Sequence, residues 1–348
     1  MIFLGAIAIA CLIGVFGMAE HHIMIKQMVF LIIAFWITAS CLASDVRRIY
    51  PCYRLTQTPA LDGRLDDVSW KKIPESMGFY MCSGTGKKFA MKNQTSFKAG
   101  WTQEALYFAI RAEDSAPEQV ISKKKHAKIW QDDSVELFFL PPGAQSYAHL
   151  AANCTGGRFF GHGKKNMDWE ARFSIGSQEW FMEWRVPFRV LMDNPPSEGQ
   201  EWLVNVGRNI PAGPVEERFT CWPLLKKGFH DAEHFGIFVF KKNPGEQVRE
   251  EEREINRAYM NYMKEEIGKL AGIAKKHIND LMEIRKIRGP CEEVEKMLKA
   301  WDQALAITAQ ATTDLQKLSL VFRECVDLKS KSRNCLGRER LEILFNEN

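Results

Sequence analysis

Residues 129–140 read IWQDDSVELFFL, an aromatic and two adjacent carboxylates set directly before an alternating strand. A strand turns successive side chains to opposite faces, so Ser134, Glu136 and Phe138 share one face and Val135, Leu137 and Phe139 the other. An acid on a face otherwise made of Phe and Ser, with Trp130 at the entrance, makes an apolar platform rimmed by hydrogen-bonding groups. A sugar asks for that combination, because its C–H faces stack on rings while its hydroxyls are fixed by carboxylates and amides. A buried sheet strand behind an Asp-rich turn fits the same residues.

Outward from this strand, residues 45–242 read as β. Segments 96–101, 106–113, 147–153, 169–175, 180–186, 202–209 and 235–240 alternate or run apolar. Pro141-Pro142-Gly143, Gly156-Gly157, Asn194-Pro195-Pro196 and Pro211-Ala212-Gly213-Pro214 punctuate them, and no βαβ alternation occurs. Many short strands at this spacing predict an antiparallel β-sandwich of jelly-roll or immunoglobulin-like type. The composition changes at Asn243-Pro244-Gly245. Beyond Glu246 the period becomes helical, with Ile255, Tyr259, Tyr262, Ile267, Leu270, Ile278, Leu281 and Ile284 on one stripe. Arg288-Gly289-Pro290 stops this helix, and a second stripe runs through Val294, Leu298, Trp301, Leu305, Leu315, Leu318 and Phe322. The expectation is an antiparallel α-helical hairpin, α+β overall, with a short third helix around Leu341, Leu344 and Phe345. The predicted division is 1–43 leader, 44–242 β-sandwich and 246–348 helices, the last able to self-associate.

The 348 residues carry a net charge of only +4, which leaves no electrostatic footprint for nucleic acid. The runs Lys123-Lys124-Lys125 and Lys226-Lys227 read as solvated loops. At the N-terminus two apolar runs, 2–18 and 28–39, flank Glu20, His21, His22 and Lys26. The second is laid out as a secretory signal starting at Met24 and ending in small residues at Ala43. A retained membrane anchor in 2–18, and a lipoprotein signal at Cys41, are the alternatives, and each implies an exported protein. Cleavage would leave seven cysteines, Cys52, Cys82, Cys154, Cys221, Cys291, Cys325 and Cys335, with no CxxC metal pattern. Export permits disulfides, and Cys325 and Cys335 are close enough in sequence to staple the last helices.

Residues 50–242 carry an ordered series of short motifs. It opens with Pro59-Ala60-Leu61-Asp62-Gly63-Arg64-Leu65-Asp66-Asp67 and Trp70. Next come Lys98 to Trp101, Ala105-Leu106-Tyr107 and Asp114, then Trp130-Gln131-Asp132-Asp133-Ser134-Val135-Glu136. EWRVPF at 183–188, WLVNVGR at 202–208, Trp222 and His234-Phe235-Gly236 complete it. In this order the motifs resemble those of the family-9 carbohydrate-binding modules. The resemblance implies a sugar held between two aromatic rings, with Trp130 as the first and Phe229 as the second. It further implies hydroxyl contacts from Glu136 and Asn153, with His149 and Arg208 as rim donors. The arginine that founding members carry in the strand of Asn153 has no counterpart, since Ala151 and Ala152 stand there. The ligand implied is an oligo- or polysaccharide of xylan or glucan type, bound without catalysis. Calcium occurs in the family, but Asp66, Asp67, Asp132 and Asp133 lack the spacing of a cation loop, and no cofactor is expected.

Three other classes stay in view. A glycosidase would need Glu136 paired across a cleft with Asp132 or Glu183, although no GxSxG or HExxH motif is present. A haem-binding sandwich would need His149 or His162 opposite Met167 or Met182. A degenerate sandwich could serve as a scaffold while the helices dock a partner.

Overall fold

The computed structural model describes residues 47–82, 88–114, 128–161, 168–289, 292–309 and 315–346. The leader runs, Lys123-Lys124-Lys125, His162, Met167 and Cys291 lie outside them. Arg47–Asn348 forms one compact unit.

Among the described residues twelve strands make one hydrogen-bonded sheet, its main path in the order β7-β6-β5-β10-β12-β1-β3-β4-β9-β8. They are β1 (Ile49–Arg54), β2 (Tyr80–Met81), β3 (Thr95–Trp101), β4 (Ala105–Glu113), β5 (Ser134–Leu140) and β6 (Ala148–Asn153), followed by β7 (Arg158–Gly161), β8 (Glu170–Ile175), β9 (Glu179–Pro187), β10 (Glu201–Asn209), β11 (Phe219–Cys221) and β12 (Gly236–Lys241). Off the main path, β11 pairs with β10 and β2 with β11. Two antiparallel arms, β7-β6-β5-β10-β12 and β3-β4-β9-β8, meet at β1, which runs parallel to β12 on one side and to β3 on the other. The sheet is therefore mixed, not antiparallel throughout as expected. It folds on itself, so that Val135, Leu137 and Phe139 of one arm share a core with Leu106, Phe108 and Ile110 of the other. Phe108 and Phe139 meet across it with ring centroids 5.9 Å apart.

β1 escaped the sequence pattern because Pro51 stands inside it, and proline demotes a candidate strand. The ladder to β3 begins only at Tyr53, so Pro51 is laddered on the β12 side alone and its missing N–H leaves no gap.

After the short α1 (Phe188–Leu191), three long helices follow: α2 (Val248–Arg288), α3 (Glu292–Ala309) and α4 (Leu315–Asn346). The second predicted stripe is thus divided between two helices, and the third element is long, so the simple hairpin gives way to three helices. Cys325 and Cys335 are both buried in α4, and neither is in a disulfide. Ten residues of helix separate them by about 15 Å, far beyond disulfide reach. Cys82 is instead paired with Cys221.

The break at Asn243 marks a change of secondary structure within one packing unit. Tyr259, Met263, Ile267 and Leu270 of α2 join Met77 and Phe89 of the β region in one cluster. The Asn256 amide accepts from Met77 N at 2.7 Å and donates to Glu75 O at 2.8 Å, while Arg48 donates to Ile255 O at 3.0 Å. Gly78 has φ +78, and a Cβ there would stand 2.5 Å from the Tyr259 side chain. From α4, Arg323 forms an ion pair with Glu113 at 2.9 Å. No described helix is long and apolar enough to cross a membrane.

Candidate functional site

β5 lies between β6 and β10, and its outward face carries Ser134, Glu136 and Phe138. Register sets Asn153 and Asn209 beside Ser134, Ala151 and Gly207 beside Glu136, and His149 and Asn205 beside Phe138. Directly opposed residues stand close enough to interact, and their diagonal neighbours come within reach of long side chains. Because Ala151 and Gly207 are small, Glu136 can reach along both diagonals. Its Oε2 lies 2.6 Å from His149 Nε2, and its Oε1 accepts from Asn209 Nδ2 at 2.7 Å. The His149 ring is stacked on Phe138, centroids 4.2 Å apart and planes 9° apart. Asn209 also donates to Ser134 Oγ at 3.0 Å.

This group forms the polar end of a cleft of ≈ 430 Å³. Trp130 and Phe159 form one wall, meeting edge-on at 5.4 Å. Trp130 is 36 % exposed, held in a 3₁₀ turn, Ile129–Gln131, whose first residue is fully buried. The other wall comprises Cys82, Phe219, Gly228, Phe229 and His230. Phe229 is fixed from two sides. Its carbonyl accepts from Asn205 Nδ2 at 3.1 Å, and its ring lies over Gly207, where a Cβ would come within 2.8 Å of it. His230 Nδ1 and Tyr147 Oη are 2.8 Å apart, and burial raises the Tyr147 phenol above its ordinary value. Asp231 Oδ2 secures the loop, accepting from the backbone N–H groups of Lys226 at 2.8 Å and Lys227 at 3.2 Å.

Of the six residues singled out from the sequence, Trp130, Phe229, Glu136 and His149 line this cleft. Asn153 does not. Its Nδ2 donates to Asp132 Oδ2 at 2.9 Å, and its Oδ1 accepts from Gly157 N at 2.7 Å, so it ties the Asp-rich turn to the turn that follows β6. Arg208 is not a rim donor either. It lies on the core face of β10, fully buried, with its guanidinium 5.2 Å from the Trp180 ring and Nη1 donating to Glu113 O at 2.6 Å. Burial lowers its pKa, and Asp114, Asp133, Glu113 and Glu217 oppose the shift. The second acid of the DD pair is therefore partly a counterion to this arginine.

The other pairings considered do not converge on the cleft. Glu183 is fully buried and accepts from Trp70 Nε1 at 3.0 Å and from the backbone of Asp62 and Gly63, which leaves Glu136 as the one member of the glycosidase pairs that lines the cleft. Met182 belongs to the main core, on the opposite side of the sheet from His149. Among the described residues, Asp231, Glu233 and His234 are the one set close enough to hold a cation, and Asp66, Asp67, Asp132 and Asp133 form no such set. Asp231 is engaged there by backbone donors and by His234 Nδ1 at 2.9 Å.

Asn209, Phe159, Phe219 and His230 were missed. Asn209 was legible, because N-x-G-x-N at 205–209 alternates with Val204, Val206 and Arg208. The same period that sends the valines inward sends Arg208 with them. The remaining residues arrive from two short strands, β7 and β11, and a turn, with no pattern of their own.

The family model for carbohydrate family 9 binding domain-like proteins matches residues 61–243. Among solved structures, a family-9 carbohydrate-binding module from Caldicellulosiruptor kristjanssonii in complex with cellotriose is similar at 17 % identity and a TM-score of 0.44, over 57 % of this chain and 96 % of that one. The same module in complex with glucose gives 17 % and 0.43, over 56 % and 96 %. A Bacteroides uniformis protein gives 13 % and 0.46, over 56 % and 100 %. No curated protein matches the chain.

Proposed function

We propose, from the premise that the chain belongs to the carbohydrate family 9 binding domain-like family, that its cleft binds a saccharide without transforming it. The observation that carries this reading is the division of the cleft into aromatic walls and one hydrogen-bonded polar end, Glu136–His149–Asn209. Rings cover the C–H faces of a pyranose, and the fixed carboxylate accepts from its hydroxyls. The glycan is of glucan or xylan type, and recognition of it serves polysaccharide breakdown by other proteins. The same reading makes the protein an exported one. The leader-like segment ending at Ala43 supports this, and the Cys82–Cys221 pair suits an oxidising compartment. Attachment to the membrane through the N-terminal apolar run, and self-association through the helices, complete the proposal. Bringing several copies together would convert the weak grip of a small cleft into firm attachment.

The test is calorimetric titration of the full-length chain with cello- and xylo-oligosaccharides, with Trp130→Ala alongside. Saturable heat, weakened about fivefold or more by loss of one stacking ring, is the expected result. A folded sample giving no saturable heat with any of these sugars would overturn the reading.

A further inference from the structure

Resting on the reading of the cleft as a site for a glucan or xylan, we infer that His230, positioned by Tyr147, makes it favour the glucan. The cleft takes its hydrogen-bonding groups from two places. Glu136 and Asn209 stand on the sheet, in β5 and β10, whereas His230 arrives on the loop that carries Phe229. There it adds a polar group to a wall otherwise made of Cys82, Phe219, Gly228 and Phe229. His230 is exposed as well as lining the cleft, so a ligand can reach it. The ring is also held in place. Tyr147 Oη lies 2.8 Å from its Nδ1, and Phe138 meets it edge-on with centroids 5.3 Å apart. A group fixed before the ligand arrives loses little freedom when it makes a contact.

The two polysaccharides differ in what they offer such a pair of contacts. In a β-1,4-linked chain each unit turns its C2 and C3 hydroxyls to one edge of the ring. At the other edge a glucose unit carries a primary hydroxyl on C6, where a xylose unit has only the CH₂ of C5 and the ring oxygen. A glucose unit can therefore engage Glu136 from one edge and His230 from the other. A xylose unit that engages Glu136 leaves the imidazole facing a CH₂, and the hydrogen bond is forfeited. Gly228, next to His230, leaves space for the hydroxymethyl group, since a Cβ built on it meets nothing within 4 Å.

Titrating the full-length chain with cellotetraose and xylotetraose reads the preference, which should be about tenfold for the glucan, or about 1.4 kcal/mol. His230→Phe keeps a ring at an exposed position, and should weaken cellotetraose about tenfold while moving xylotetraose less than about twofold. His230→Gln, which still offers a hydrogen bond, should restore part of the preference. Tyr147→Phe removes only a hydroxyl and keeps the ring beside Phe138 and Phe235. It should reduce the preference in the parent chain and change nothing once His230 is Phe. A Tyr147→Phe chain with its preference intact overturns the positioning role. Xylotetraose bound as tightly as cellotetraose, or a glucan preference that survives His230→Phe, overturns the whole inference and leaves the saccharide reading standing. Binding of neither sugar by the folded parent chain overturns both.

Discussion

Arg208 and Asn209 are adjacent in the chain and serve opposite faces of β10. Asn209 holds Glu136 in the cleft, while Arg208 lies under the sheet among Glu113, Asp114 and Asp133. A fully buried cation with several carboxylates around it is costly to assemble and far costlier to break, because removing one partner strands the others. Arg208→Ala is accordingly expected to destabilise the protein by about 3–5 kcal/mol. Urea unfolding of the variant beside the parent chain measures it, and a loss below about 1 kcal/mol would show that the carboxylates are satisfied without the guanidinium. The position was misread because the residue type, a long donor in a motif strand, was weighed above the period of two that fixes its face. For Trp130, Glu136 and His149 residue type and period agreed, and all three line the cleft.

At the scale of elements, the eight strands expected from alternation formed within a residue or two of their predicted ends. The four others are shorter, or in β1 interrupted by proline, and a pattern needs length to be seen. What alternation cannot carry is which strands become neighbours. The parallel pairs on either side of β1 join residues far apart in sequence, and the Phe159 and Phe229 walls are brought together by the equally distant pairing of β5 with β10. Helical period located α2, but composition at Asn243 suggested a detachable segment. The interface argues otherwise: a chain ending at Lys242 would bare Met77 and Phe89 and leave the Met77 and Glu75 N–H groups without Asn256 and Glu252. Exposing two large apolar side chains alone costs about 3–6 kcal/mol. Denaturant midpoints of chains 47–242 and 47–348 are expected to differ accordingly, and equal midpoints would show the β region to be self-sufficient.

For the whole molecule, the buried carboxyls Glu113 and Glu183 and the half-buried Glu252 set a pH dependence of definite sign. Burial is the chief influence on each and raises its pKa above the ordinary 4.5, even where arginines or N–H donors pull the other way. The folded protein thus holds these protons more tightly than the unfolded chain. Their contribution is full below about pH 4.5 and is lost as pH rises through the folded values. Thermal midpoints should therefore fall as pH is raised above 4.5 in that window, with a shallower slope in Glu113→Gln. A slope unchanged by that substitution would mean that the Glu113–Arg323 pair already holds the carboxyl ionised.

The seat of β1 between β12 and β3 has a consequence for the order of folding. Its longer ladder is to a strand that ends at Lys241, so the first strand of the sheet must wait for the last. During synthesis the β3-β4-β9-β8 arm can zip up by antiparallel pairing as it emerges, while β1 stays unlatched along most of its length. Closure of the two arms is then a late, long-range event of high contact order, slow by nature. Until it happens the apolar inner faces of both arms stand open, and the chain is at its most vulnerable to aggregation just before its final strand arrives.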